Sequence, residues 1–159
     1  MKKSSAFEIV DYEEKYKLAF KTLNKEWIDN YFKMEDADYK ALNHPEKYIL
    51  QLGGAIVVAI TAEEPAGVCA LIKMKDSPYD FELAKMAVSP LYQGQGVGYL
   101  LGEAVINKAR ELKAKSVYLE SNTILVPAIN LYHKLGFKEV HGIYTPYTRC
   151  NIQMELVLK

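Results

Sequence analysis

Cysteine is nearly absent from this chain of 159 residues: Cys69 and Cys150 are the only two, far apart and each in an apolar stretch. That scarcity excludes a disulfide-stapled scaffold and suits small buried hydrophobes in a reducing compartment. Histidine is almost as rare, and His44, His133 and His141 lack the close spacing of a zinc site, so no metal is expected. Long apolar runs are missing too. The longest, Ala55 to Ile60, falls far short of the ~20 residues that a membrane helix needs. Lys2 and Lys3 near the start are not followed by an apolar segment, so no signal peptide is expected. Neither sign of charge dominates, with Lys plus Arg 20 against Asp plus Glu 20. That balance excludes a partner held by bulk charge, such as duplex nucleic acid or an anionic membrane. What is there is half apolar and one quarter charged, the profile of one globular domain over residues 1–159 with a cytoplasmic address.

Periodicity supplies the elements. Phe7 to Val10 reads as a short first strand. Asp11 and Glu14 make a D-x-x-E capping signal before Tyr16, Phe20, Leu23, Trp27 and Tyr31 at helical spacing. Asn43-His44-Pro45 predicts a second, short helix over 45–50, ended by Gly53-Gly54. Residues 55–61 and 67–74 predict a hairpin around a loop at 62–66. A further strand over 81–88 is closed by Ser89-Pro90.

The strongest helix covers 98–112, with Val97, Leu101, Val105, Ala109 and Leu112 on one stripe. A strand at 116–120 precedes a helix over 127–135 whose stripe is Ile124, Ala128, Leu131 and Leu135. Gly136 stands where a left-handed glycine would stop that helix. Residues 138–143 and 150–158 read as two final strands. The result is one α/β (α+β) domain without internal repeat or linker.

A strand, Ser-Pro, the turn Gln93-Gly94-Gln95-Gly96-Val97-Gly98 and then a strong helix make an anion site on physical grounds. The first helical turn offers unpaired N–H groups and the positive end of the dipole. Glycines at 94, 96 and 98 permit positive φ and let a phosphate approach the backbone. A plain glycine-rich turn has the same composition. A Walker loop is excluded by Gly98-Tyr99-Leu100 in place of Gly-Lys-Ser/Thr. A dinucleotide fingerprint is excluded by Tyr99 at its third glycine and by the turn's place past mid-chain.

The turn resembles the Q/R-x-x-G-x-G/A loop of the GNAT superfamily, the Gcn5-related N-acetyltransferases, with Gln93, Gly96 and Gly98 at its named positions. Asn122, Ala128, Leu131, Tyr132, Gly136 and Phe137 resemble that family's second motif. Asn24-Lys25-Glu26-Trp27 and Glu82 to Val88 are similar to bacterial GNAT domains, some of which are fused to MarR-type regulators. The resemblance implies a mixed, mostly antiparallel sheet of about seven strands and about four helices, in the order β-α-α-β-β-β-α-β-α-β-β. It also implies acetyl-CoA as co-substrate and transfer to a primary amine by direct attack in a ternary complex. The acceptor is a small-molecule amine or a peptide or protein amine, and a homodimer through the C-terminal strands suits the fold.

Residue by residue, it places the pantetheine arm along the backbone of Met86, Ala87 and Val88, which requires the strands around 81–88 and 116–121 to part. The pyrophosphate falls to Gln93, Gly94, Gln95, Gly96, Val97, Gly98 and Tyr99. Asn122, Asn130 and Lys134 flank the rest of the cofactor. Tyr132 is the candidate acid for the leaving thiolate, although its spacing equally suits an aromatic packed on the helix flank. Glu82 is the candidate base and Glu120 its rival. Tyr144 and Tyr147 are expected to line the acceptor site. The alternative is a non-catalytic acyl-CoA-binding sensor, against which Tyr132 and the carboxylates speak.

Overall fold

The computed structural model describes residues 6–62 and 64–158. β1 (Glu8–Asp11), α1 (Lys17–Tyr31) and α2 (Asp36–Asn43) open the chain, with a 3-10 turn at Glu14–Tyr16 and a π-turn at Glu46–Leu50. β2 (Ala55–Thr61), β3 (Glu64–Lys73) and β4 (Phe81–Val88) follow. Then come α3 (Val97–Glu111), β5 (Ser116–Ser121), α4 (Val126–Leu135), β6 (Lys138–Val140) and β7 (Ile152–Val157). Strands and helices follow one another in the expected order, but the second helix is α2 and not the segment expected at 45–50. Seven strands form one sheet, β1-β2-β3-β4-β5-β7-β6, in which only the β4–β5 pair is parallel.

Two apolar layers cover the two faces. Leu71, Leu83, Leu101, Val105, Leu119 and Met154 join the sheet to α3. Phe20, Leu42, Ile49, Val58 and Val68 join its other face to α1 and α2. Each such side chain, fully buried, contributes roughly 1.5–3 kcal/mol.

Several local expectations are corrected. Asp11 does not cap α1: it ends β1 opposite Val57 and pairs with Lys108 of α3 at 2.7 Å. The buried stripe of α1 is Phe20, Asn24 and Ile28, while Tyr31 is 51% exposed. A search for apolar periodicity passes over Asn24, whose burial is possible because its Nδ2 donates to the Phe20 carbonyl at 3.0 Å. The sequence pattern does not predict α2, which is held by reciprocal capping between Glu35 and Asp38. The segment 45–50 forms only the π-turn. β3 takes up Glu64 to Ala66 of the expected hairpin loop, after a register shift at Ala59/Ile60.

In α3, Val97, Leu101, Val105 and Ala109 are buried as expected, whereas Leu112 lies past the helix end and is half exposed. Ile124 precedes α4, so helical spacing does not apply to it, and it is exposed. The core side of α4 carries Leu135, as expected, together with Ile129 and Tyr132. Gly136 ends that helix at φ +106°, as expected. β6 stops at Val140, and β7 runs over Ile152–Val157 within the expected 150–158. Residues 141–151 therefore form a strap between the two strands.

One irregularity positions the site. Val68 of β3 pairs with Ala87, but Ala70 pairs with Ala84, so Lys85 and Met86 together oppose Cys69. This is a β-bulge. Lys85 adopts φ +56°, a left-handed conformation costing about 1–2 kcal/mol for a residue with a Cβ. The bulge also reverses the alternation of the strand. Phe81 and Leu83 face the α3 layer before it, and Met86 and Val88 pack there after it. Glu82 and Lys85, three residues apart, thereby reach the same side of the sheet and one cavity.

Candidate active site

β4 and β5 pair only at Phe81↔Val117 and Glu82↔Tyr118 and then part, as the resemblance required. Two cavities open in the wedge. A groove of about 450 Å³ runs from Met86, Ala87 and Val88 to Gly94 and Gly96, with Leu131 and Tyr132 on the opposite wall. A smaller cavity of about 100 Å³ lies on the α1 and α2 side, among Glu82, Lys85, Glu120, Tyr147 and Arg149. Trp27, Met86, Leu125 and Tyr132 belong to both.

The groove ends at the glycine turn. The Ser89 hydroxyl accepts from the Leu91 amide and starts a 3-10 turn at Pro90–Tyr92. The Gln93 side chain donates to the Val88 carbonyl at 3.3 Å, tying the turn to the end of β4. Gly94 and Gly96 have φ of +80° and +85°, and a Cβ on either would meet nothing within 4 Å. Backbone conformation, not crowding, is what calls for glycine there.

Leu100 makes the first intrahelical bond, to Gly96, so the amides of Val97, Gly98 and Tyr99 precede the ladder at a helix end with no acidic residue in its first turn. An anionic diphosphate fits this end, and an extended arm fits the unpaired edge of β4. Gly98 does not use the freedom of glycine: its φ is not positive, and a Cβ there would lie 3.1 Å from Leu131. Its smallness serves the close packing of α3 on α4 rather than the turn.

The other predicted groove residues divide. Val97, Gly98 and Gln93 line the groove with Gly94 and Gly96, whereas Gln95, Tyr99, Asn130 and Lys134 do not. Asn130 is exposed, and the Lys134 ammonium sits over the Tyr99 ring at 4.8 Å. Asn122 lines the small cavity instead. Its Nδ2 donates to the Arg149 carbonyl at 2.7 Å and its Oδ1 accepts from the Ile124 amide at 3.0 Å, so it fastens the strap.

Charge in the small cavity is sharply organised. Glu82 is half-buried, and no hydrogen bond holds its charge among the described residues; burial and the neighbouring Glu120 raise it to about 8, opposed in part by Lys85. Glu120 accepts from the Tyr118 hydroxyl at 2.8 Å and from the Thr145 hydroxyl at 2.7 Å. Asp38 is fully buried behind this wall. It accepts a bidentate pair from Arg149 at 2.7 and 2.8 Å and one bond from Lys85 at 2.8 Å. Burial opposes its charge, but the Arg149 bonds and the Lys85 charge outweigh it and lower Asp38 to about 2.

Lys85 also donates to the Tyr147 hydroxyl at 2.8 Å, and Arg149 lies over the Tyr147 ring at 4.4 Å. Tyr147 thus lines the cavity, whereas Tyr144 is 84% exposed and does not. The sequence pattern missed Asp38 and Lys85. Glu35-x-x-Asp38 carried a capping signal that could have revealed the first, but nothing local marks the second.

Tyr132 stands where the cavities meet, its ring edge-on to Phe137 with centroids 6.3 Å apart. Burial, with Cys69 nearby, pushes its phenol well above the ordinary value and keeps it protonated. Among the described residues no cluster of His, Cys, Asp and Glu could hold a metal, and no helix is long and apolar enough to cross a membrane.

Known proteins match this chain in sequence and in fold. Residues 16–137 match the model of the acetyltransferase (GNAT) family. N-acetyltransferase 8B of Rattus norvegicus is 30% identical over 104 residues, 64% of this chain and 46% of that protein. The chain thus spans about half the length of this curated relative. An acetyltransferase of the GNAT family from Staphylococcus aureus superposes with a TM-score of 0.85 at 24% identity, over 97% of this chain and 100% of that one. The yncA protein of Salmonella typhimurium, solved with its cofactor acetyl-CoA, superposes at 0.77 and 18% identity, over 97% of this chain and 95% of its own. Most of the chain, from Tyr16 to Phe137, is covered by the family model, and the chain belongs to the acetyltransferase (GNAT) family.

Proposed function

We propose that this protein is one N-acetyltransferase domain that moves an acetyl group from acetyl-CoA to a primary amine. The observation that carries this reading is the position of Tyr132, shared by an anion-ended groove and an acid-lined cavity. Bound acetyl-CoA supplies an activated thioester. The amides of Gly96 to Tyr99 would hold its pyrophosphate, and the backbone of Met86 and Val88 would hold its arm. Glu82 is the base, since a carboxylate raised to about 8 can take a proton from an ammonium near neutral pH. Glu120, held by two hydroxyl donors, is the fixed anion that draws the ammonium in.

In the transfer, Glu82 takes a proton from the ammonium, the neutral nitrogen attacks the thioester carbonyl and the carbon–sulfur bond breaks; Tyr132 gives its proton to the departing thiolate, and the proton that the nitrogen sheds as the amide forms returns to the phenolate. The burial that raises the phenol also makes a thiolate beside it more basic, which favours that exchange. Positioning supplies much of the rest. The free cysteines support the cytoplasm as its compartment, and the uncovered edge of β6 supports a homodimer.

The test is thiol release over an amine panel, with calorimetric CoA binding alongside. Tyr132→Phe should lower kcat by about 10²-fold or more and leave CoA affinity unchanged. CoA binding with no turnover on any amine would point instead to an acyl-CoA sensor. Tighter binding of ATP or NAD than of CoA would refute both.

A further inference from the structure

The small cavity's charges also say which amines it admits. Two cations line it, Lys85 and Arg149. Lys85 lies 2.8 Å from Asp38, and Arg149 lies 2.7 Å from Asp38 and 3.6 Å from Glu35. Asp38 and Glu35 therefore balance the two cations charge for charge. Two more carboxylates, Glu82 and Glu120, line the same cavity, and neither has a salt-bridge partner among the described residues. The space is about 100 Å³, so an acceptor's charged groups would lie close to these acids.

From this arrangement we infer that the acceptor is an alkyl amine with no carboxylate near its reacting nitrogen, and that free amino acids are poor acceptors. The inference rests on the acetyl-transfer reading and narrows its substrate class. An ammonium entering the cavity meets two carboxyl groups that no cation of the protein engages in a salt bridge among the described residues. A carboxylate entering beside it meets Glu120, and Glu82 too once that group has ionised, and finds the nearby guanidinium and ammonium already neutralised. Desolvating it there without a partner is strongly unfavourable. Trp27, Phe32 and the Tyr147 ring offer an apolar wall for an alkyl chain. A free alkylamine and a lysine side chain share this chemistry.

Propylamine and 3-aminopropanoate, matched in chain length and similar in amine basicity, make the test. Thiol release by the intact protein should give propylamine a kcat/KM at least about tenfold higher, equivalent to about 1.4 kcal/mol. Equal values, or a preference for 3-aminopropanoate, would overturn the inference. A lysine peptide blocked at its N-terminus, assayed beside propylamine, tells a protein side chain from a free amine by which has the higher kcat/KM.

Glu35→Gln is the second arm, chosen because Glu35 is more exposed than Asp38 and glutamine keeps a side-chain acceptor for the cap of α2. Freeing part of the Arg149 charge should improve 3-aminopropanoate relative to propylamine by about threefold. A purely structural role would slow both alike, and an unchanged ratio would argue against the neutralised cations as the cause. Absence of thiol release on every amine would sink the transfer reading, and this inference with it.

Discussion

Asp38 and Glu82 are carboxylates set into the surroundings of one small cavity, and the protein drives them in opposite directions. Asp38 is held at about 2 and Glu82 is raised to about 8. Burial alone does not separate them, because it favours the neutral acid at both. The difference lies in what was placed beside each. Asp38 has a guanidinium fork, an ammonium and the Glu35 amide, at 2.9 Å, aimed at its oxygens. Glu82 has another carboxylate nearby and only the unbonded charge of Lys85 to offset it. The first arrangement joins α2, the bulge of β4 and the strap into one wall. The second leaves a group that exchanges its proton near neutral pH. Lys85 serves both, fully engaged with one acid and partly tempering the other.

The comparison can be broken most directly at Glu82. Glu82→Gln should lower kcat by about 10²–10⁴-fold, the usual range for a general base, with CoA affinity unchanged by calorimetry. An unaltered kcat would hand the base role to Glu120. The same substitution carries a stability consequence. A carboxyl raised above its unfolded value contributes stability that is complete below the ordinary carboxyl range and is lost as pH rises through about 8. Above that pH, Glu82→Gln should melt higher than the parent protein.

Next in size is Asp38→Asn, which should remove about 3–5 kcal/mol in urea unfolding, because it leaves the buried Lys85 without a carboxylate partner and Arg149 with Glu35 alone. The sign with pH is the reverse of that for Glu82. A lowered carboxyl contributes stability that is present above its unfolded value, near 3.8, and is lost as pH falls through about 2. A loss below about 1 kcal/mol would show that the pairing is not what joins the wall.

The smallest effect is a shift rather than a loss. For an acceptor amine of high basicity, kcat/KM should rise with pH through a limb near 8. Glu120→Gln removes one of the causes of that value, so the limb should move toward lower pH. A limb that stays in place would mean burial alone sets Glu82.

Much of this was legible in the sequence. The strand over Phe81 to Val88, the turn from Gln93 to Gly98 and the helix after it coincide with β4 and α3, because alternation, Ser-Pro punctuation and helical spacing are local signals. The second motif placed Tyr132 on a helix, although its own spacing did not mark it as inward. What escaped was of two kinds. Buried polar residues such as Asn24 and Asp38 do not enter an apolar pattern, so the stripe of α1 was misplaced and α2 went unread. The bulge at Lys85 has no local signature, since positive φ at a lysine is unfavourable in isolation and persists only in its tertiary setting.

By itself, then, the sequence determined the order of the strands with the helices α1, α3 and α4, the glycine turn ahead of a helix start, and the family. These depend on contacts and conformations within a few residues of one another. Only the tertiary structure decided the roles of the acids. Asp38 meets Arg149 across 111 positions of sequence, and Glu82 feels Glu120 because β4 and β5 lie side by side before they part. Ionisation is set by which charges and dipoles end up within a few ångströms, and that is a property of the folded chain.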